Sequence, residues 1–89
     1  MTLSAEEVED RLSADWDREG DEIVRTYEFD DYLAGVTFVR DRADLADEEF
    51  HHPEITIDVR SVEVRLTNHE AGGITEIDLD MAAQFDDEF

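Results

Sequence analysis

The apolar residues between Asp30 and Leu66 change period once, at Pro53, the only proline in the chain. Before it, Tyr32, Val36, Val39, Ala43, Ala46 and Phe50 recur at alternating steps of four and three, which stacks them along one face of a helix. After it, Ile55, Ile57 and Val59 alternate, and Val62, Val64 and Leu66 alternate again beyond Arg60 and Ser61, the period of a β-hairpin. The spacing therefore predicts a long helix over about 30–49 and two paired strands. Phe38 and Leu45 fall off the helical stripe and would form a second face, either peripheral burial or a subunit contact.

The rest of the chain divides by the same signals. Ser4 and Glu7 make a capping box with Leu3 and Val8 as its hydrophobic staple, so a helix is expected from Ser4 to about Ala14. Residues 16–29 read as strand, Gly20-centred turn and strand, with Ile23, Arg25 and Tyr27 on one face and Val24 and Thr26 on the other. Thr75 and Asp78 form a second capping box, with an Ile74 to Leu79 staple, opening a last helix whose inner stripe is Ile77, Met81 and Phe85. The order is α-β-β-α-β-β-α. An α+β fold follows, in which a four-stranded antiparallel sheet carries three helices on one face and buries their apolar stripes.

Eighty-nine residues suffice for one domain, expected over 1–89, that buries roughly 60–65% of its unfolded surface. Its charge is extreme: 27 acidic residues against 7 basic ones, all arginine, for a formal net charge of −20. Such a surface repels phosphates, which argues against a nucleic-acid partner. A DNA-mimicking or histone-binding protein and a fold adapted to multimolar salt both fit that number. The acids are dispersed along the chain rather than gathered in a block, which favours salt adaptation; at 1 M salt the Debye length is about 3 Å and the self-repulsion is largely screened. No apolar run approaches the roughly 18 residues of a membrane span, and the N-terminus has no signal-peptide pattern, so the chain is read as cytoplasmic. Without cysteine there is neither a disulfide framework nor a thiolate metal site.

Two of the three histidines, His51 and His52, stand directly before Pro53. Proline disfavours helical geometry at the preceding residue, so His52 must leave the long helix in an extended conformation. If the hairpin turns on Arg60 and Ser61, Val59 faces Val62, Ile57 faces Val64 and Ile55 faces Leu66; continued, this register sets His52 opposite His69. Three imidazoles then converge at a corner of the sheet, followed by Gly72 and Gly73, which let backbone pass close to a ligand. A zinc site would need all three nitrogens near 2 Å from one point, which adjacent histidines aim at poorly. Proton transfer is less demanding, because imidazole both gives and accepts protons near neutral pH.

These residues resemble a known family. "HHPE" (51–54), a histidine 17 positions after His52 and "HEAGGITEID" (69–78) are similar to pterin-4a-carbinolamine dehydratases, as are Trp16, "YEFDDY" (27–32) and the element order. The resemblance covers essentially the whole chain. It implies a lyase without cofactor or metal that dehydrates 4a-hydroxytetrahydropterin to quinonoid dihydropterin by general acid and base catalysis. It identifies His51, His52 and His69 as the catalytic histidines, and Asp47, Pro53, Asn68, Glu70, Ala71 and Asp78 as residues lining or supporting the pterin pocket. Asp78 also has a reading as a helix-capping residue alone. Two departures stand out: Ile55 occupies a position that is often aromatic, and Asp47 stands where the family commonly has the longer glutamate. The resemblance further implies homodimers that join their sheets edge to edge, or homotetramers made by pairing them. It leaves two alternatives: a non-catalytic interaction module like the family member that serves as a dimerisation cofactor, and a dehydratase of molybdopterin metabolism.

Overall fold

The computed structural model describes residues 1–87 and 89. Ser4 starts helix α1 (Ala5–Arg11): its hydroxyl accepts the Glu7 N–H at 3.1 Å and the Glu7 carboxylate accepts the Ser4 N–H at 3.3 Å, the reciprocal capping box. The helix is shorter than the expected run to Ala14, because Leu12 turns extended once Val8 has been buried. Strands β1 (Asp17–Glu19) and β2 (Glu22–Glu28) are joined at Gly20, whose φ of 61° suits a residue without a side chain. Asp31 caps α2 (Tyr32–Glu49) by accepting the Ala34 N–H at 2.8 Å, and β3 (Glu54–Ile57), β4 (Ser61–Leu66) and α3 (Glu76–Asp87) follow. The α-β-β-α-β-β-α order and the antiparallel sheet agree with expectation, the strands lying in the order β1-β2-β4-β3.

Alternation in the two central strands decides which face is covered. Ile23, Arg25 and Tyr27 pair with Leu66, Val64 and Val62 on the helix side. Val8 of α1, Phe38 of α2 and Met81, Ala82 and Phe85 of α3 close over them in one core. Each fully buried valine or leucine there contributes about 1.5–3 kcal/mol relative to exposure. The opposite face is open and acidic; at its centre the Arg65 guanidinium is held by Glu63 at 2.8 Å and by Glu19 and Glu22 at 3.1 Å each. Beside the core, Asp86 accepts hydrogen bonds from the Trp16 indole (3.0 Å), Arg25 (2.8 Å) and the Tyr27 hydroxyl (2.6 Å), tying the first hairpin to the end of α3. Burial, reinforced by that carboxylate, pushes the Tyr27 phenol far above its ordinary pKa.

Three sequence expectations are corrected. The buried line of α2 is Gly35, Phe38, Arg42 and Ala46, whereas Tyr32, Ala43 and Phe50 are exposed; Phe38 belongs to the core and Leu45 packs against it. An apolar count misses this line because it includes a glycine and an arginine. A Cβ at Gly35 would lie 3.3 Å from Val62 Cγ2, and the Arg42 guanidinium lies over the Phe38 ring, 4.0 Å from its centroid, while donating to the Phe85 carbonyl at 2.7 Å. In α3, Ile77 faces outward and the inner line is Asp78, Met81, Ala82 and Phe85. The hairpin register is two residues shorter than expected, pairing Ile57 with Val62 and Ile55 with Val64. Asp58 makes the difference: its N–H reaches the Ser61 carbonyl at 2.8 Å and its carboxylate accepts the Val59 N–H at 2.7 Å, so the chain turns at Val59 and Arg60. A shift of two preserves which side chains face the helices.

Candidate active site

At the end of α2 the backbone N–H of Phe50, a residue in left-handed geometry, bonds back to the Ala46 and Asp47 carbonyls, and the His51 N–H reaches Ala46 at 3.1 Å. This is a Schellman-type reversal, and it swings His51 and His52 out of the helix just before Pro53 sends the chain into β3. On the other side, β4 runs into a tight turn organised by Asn68. Its carbonyl accepts the N–H groups of Gly72 (2.9 Å) and Gly73 (3.1 Å), and its side chain accepts the Ala71 N–H at 3.0 Å. Gly72 takes a φ of 85°, and His69 and Glu70 sit exposed at the head of the turn.

The two structures meet around an open cavity of about 380 Å³ that all three histidines line, together with Glu49, Phe50, Thr67, Asn68, Glu70 and Ile77. The convergence expected from the sequence is present, but not by the expected route. In the observed register His52 would fall opposite Thr67, and it is the Asn68 turn that folds His69 back toward the pair. Gly72 and Gly73 serve elsewhere, lining a separate cleft with Thr2, Leu3 and Asp21; a Cβ on Gly73 would press against Thr2 at 3.2 Å. Pro53 and Ala71 are not among the cavity-lining residues. Asp47 and Asp78 reach the site through the histidines they hold.

Those two carboxylates give the histidines different surroundings. Asp78 is 0% exposed; one oxygen, Oδ2, accepts from the Thr75 N–H (2.8 Å) and the Thr75 hydroxyl (3.1 Å), and the other pairs with His51 Nε2. The expected capping box is thus half formed, since the Thr75 hydroxyl donates to Asp78 instead of accepting from its N–H. A buried carboxylate is tolerated where its lone pairs are engaged, and here helix capping and histidine orientation use one oxygen each. The pair fixes the ring through Nε2, and the His51 side chain is only 11% exposed. Asp47 Oδ1 lies 2.8 Å from His52 Nε2 in an exposed pair, so the shorter aspartate arm does reach. Apolar periodicity places Phe50 and Ile77 on buried stripes, so it gives no sign that both border the cavity.

A cavity bordered by three imidazoles, one of them oriented by a buried carboxylate, is suited to moving protons on a bound molecule. The model of the family described as pterin 4 alpha carbinolamine dehydratase matches residues 1–88. The chain belongs to that family. A relative from Natronomonas pharaonis, named "Putative pterin-4-alpha-carbinolamine dehydratase", is 58% identical over 85 residues, covering 96% of this chain and 92% of the relative. One of the same name from Halobacterium salinarum is 54% identical over 85 residues, covering 96% and 93%. Among solved structures, a transcriptional coactivator/pterin dehydratase from Brucella melitensis superposes with a TM-score of 0.89 at 28% identity, covering 96% of this chain and 95% of that one. A pterin dehydratase-like protein identified as a RuBisCO assembly factor in the α-carboxysome shares the fold, with a TM-score of 0.65 at 22% identity over 80% of this chain and 82% of that one.

Proposed function

We propose that this family member is a hydro-lyase that converts 4a-hydroxytetrahydropterin to quinonoid dihydropterin, working without a cofactor or metal. The observation that carries the reading is the meeting of His51, His52 and His69 at one cavity, with His51 held by the buried Asp78. In the reaction the C4a–O bond breaks as an imidazolium protonates the departing hydroxyl. A neutral imidazole takes the N5 proton, the electron pair forms the C4a=N5 double bond, and one water leaves. Net protonation of the protein is unchanged, and return of the proton from the base to the acid by way of solvent resets the pair for the next turnover. We assign the proton transfers to His51 and His69 and orientation of the pterin to His52, supported by Asp47, Asn68 and Glu70.

Among the described residues the cavity wall carries Glu49 and Glu70 and no arginine, which disfavours phosphate-bearing pterins such as those of molybdopterin metabolism. The second reading, a non-catalytic interaction module, draws on the exposed β3 edge and the turn beyond it, where Ile57 and Val59 are left uncovered. We read that edge as a site of homodimer or homotetramer assembly in a cytoplasmic, salt-adapted protein. No helix among the described residues is long and apolar enough to cross a membrane.

Loss of 4a-hydroxytetrahydropterin absorbance in multimolar KCl, with and without the protein, tests the main reading. Acceleration well above the spontaneous rate supports the dehydratase. Folded protein that leaves the rate unchanged overturns it in favour of the interaction module, and light scattering in the same buffer tests the assembly.

A further inference from the structure

Phe50 is the one non-glycine residue with a positive φ among the described residues, at φ 53° and ψ 39°. Left-handed geometry strains a residue with a side chain, and helix ends of this kind usually carry glycine or asparagine. Burial does not offset the strain, since Phe50 is 90% exposed. Nor is the ring needed to stop α2, because the bonds that end the helix come from backbone N–H groups.

What the conformation accomplishes is placement. The ring lines the histidine cavity and stands edge-on to His52, with centroids 6.3 Å apart and planes at 82°. Ile77, 47% exposed in the first turn of α3, lines the same cavity. Two apolar side chains that the fold leaves in water thus border the three imidazoles. The charged groups in the wall are carboxylates, and at molar salt a Debye length of about 3 Å screens their reach. A flat uncharged ring can be held there by stacking, which salt does not screen.

We infer that Phe50 is a positioning residue whose ring forms the stacking platform for the flat, conjugated pyrimidinone part of the pterin, with Ile77 as the second apolar wall. The inference rests on the pterin reading above and adds the side chain that supplies the flat contact. The strained backbone persists because it carries the ring out over the cavity.

Phe50→Asn separates the two roles, since asparagine tolerates left-handed geometry and has no aromatic face. Oxidised biopterin, titrated by its own fluorescence in multimolar KCl, reports binding, and steady-state dehydration reports KM and kcat. Phe50→Asn raises both Kd and KM about tenfold, the order of effect of removing one stacking face from a flat heterocycle, with a smaller change in kcat. Its melting temperature holds or rises. Phe50→Leu behaves like Phe50→Asn, and Phe50→Trp restores binding. Unchanged Kd and KM in Phe50→Asn, with an active wild type, overturn the inference and leave the dehydratase standing. A wild type that neither binds biopterin nor accelerates dehydration overturns both.

Discussion

Asp78 divides its carboxylate between two tasks, holding His51 through Oδ1 and closing the first turn of α3 through Thr75 with Oδ2. Structure and chemistry therefore meet in one side chain. Asp78→Asn keeps the shape but changes what is offered to His51, and a drop in kcat of about 10²-fold is expected, within the range of general acid–base contributions. Asp78→Ala should in addition lose about 1 kcal/mol of stability with the cap. Turnover and thermal melting, measured on both variants, separate the two tasks; full activity in Asp78→Asn would show that His51 does not depend on the pair.

Single alanine replacements test the division of labour among the histidines. His51→Ala and His69→Ala should each lower kcat by about 10²–10⁴-fold, the range of a lost general acid or base. His52→Ala should act mainly on KM. Intact turnover in His69→Ala would mean that the two proton transfers lie elsewhere.

Arg11 and Glu76 join α1 to α3 through two hydrogen bonds of 2.5 and 2.7 Å. The guanidinium holds the Glu76 carboxyl below its ordinary pKa, so the folded-state value lies under the unfolded one. The pair's stabilisation is fully present above the unfolded pKa and is lost as pH falls through the folded one. The melting-temperature gap between wild type and Glu76→Gln should therefore be open at pH 7, close in acid, and be wider in dilute buffer than in multimolar KCl. A gap that stays constant with pH would remove the ion pair as its cause.

Asp86→Ala strands the Trp16 indole and the Tyr27 hydroxyl together and leaves Arg25 with only Asp15, at 3.6 Å. Loss of a shared acceptor of this kind costs about 1–3 kcal/mol for each partner left unsatisfied, less where water can enter. A lowered melting temperature with a shift in Trp16 fluorescence is expected. Catalytic constants in the folded variant should hold, because this network lies outside the histidine cavity.

Local signals made much of this molecule legible. Ser4 is followed by the helix it caps, Gly20 by its turn, and Pro53 by the change from helical to extended chain. The histidine convergence was readable too, because any antiparallel return of β4 brings His69 near the corner. What escaped were quantities set by neighbours in space. The phase of α2 depends on Gly35 meeting Val62 and on Arg42 lying over Phe38, neither of which an apolar pattern records. The hairpin register depends on Asp58 closing the turn before Arg60. Phe50 and Ile77 look like core residues in any periodicity count, and only the folded chain leaves them at the rim of the site.

The two histidine–carboxylate pairs are built for different exposure to the medium. His52 and Asp47 are 58% and 81% exposed, so changing brine from dilute to saturated weakens their attraction. His51 and Asp78 sit behind protein, where mobile ions scarcely penetrate. Rising and falling salt would thus loosen or tighten the hold on the outer imidazole while the inner one kept its aim, so the orientation of His51 is indifferent to osmotic history.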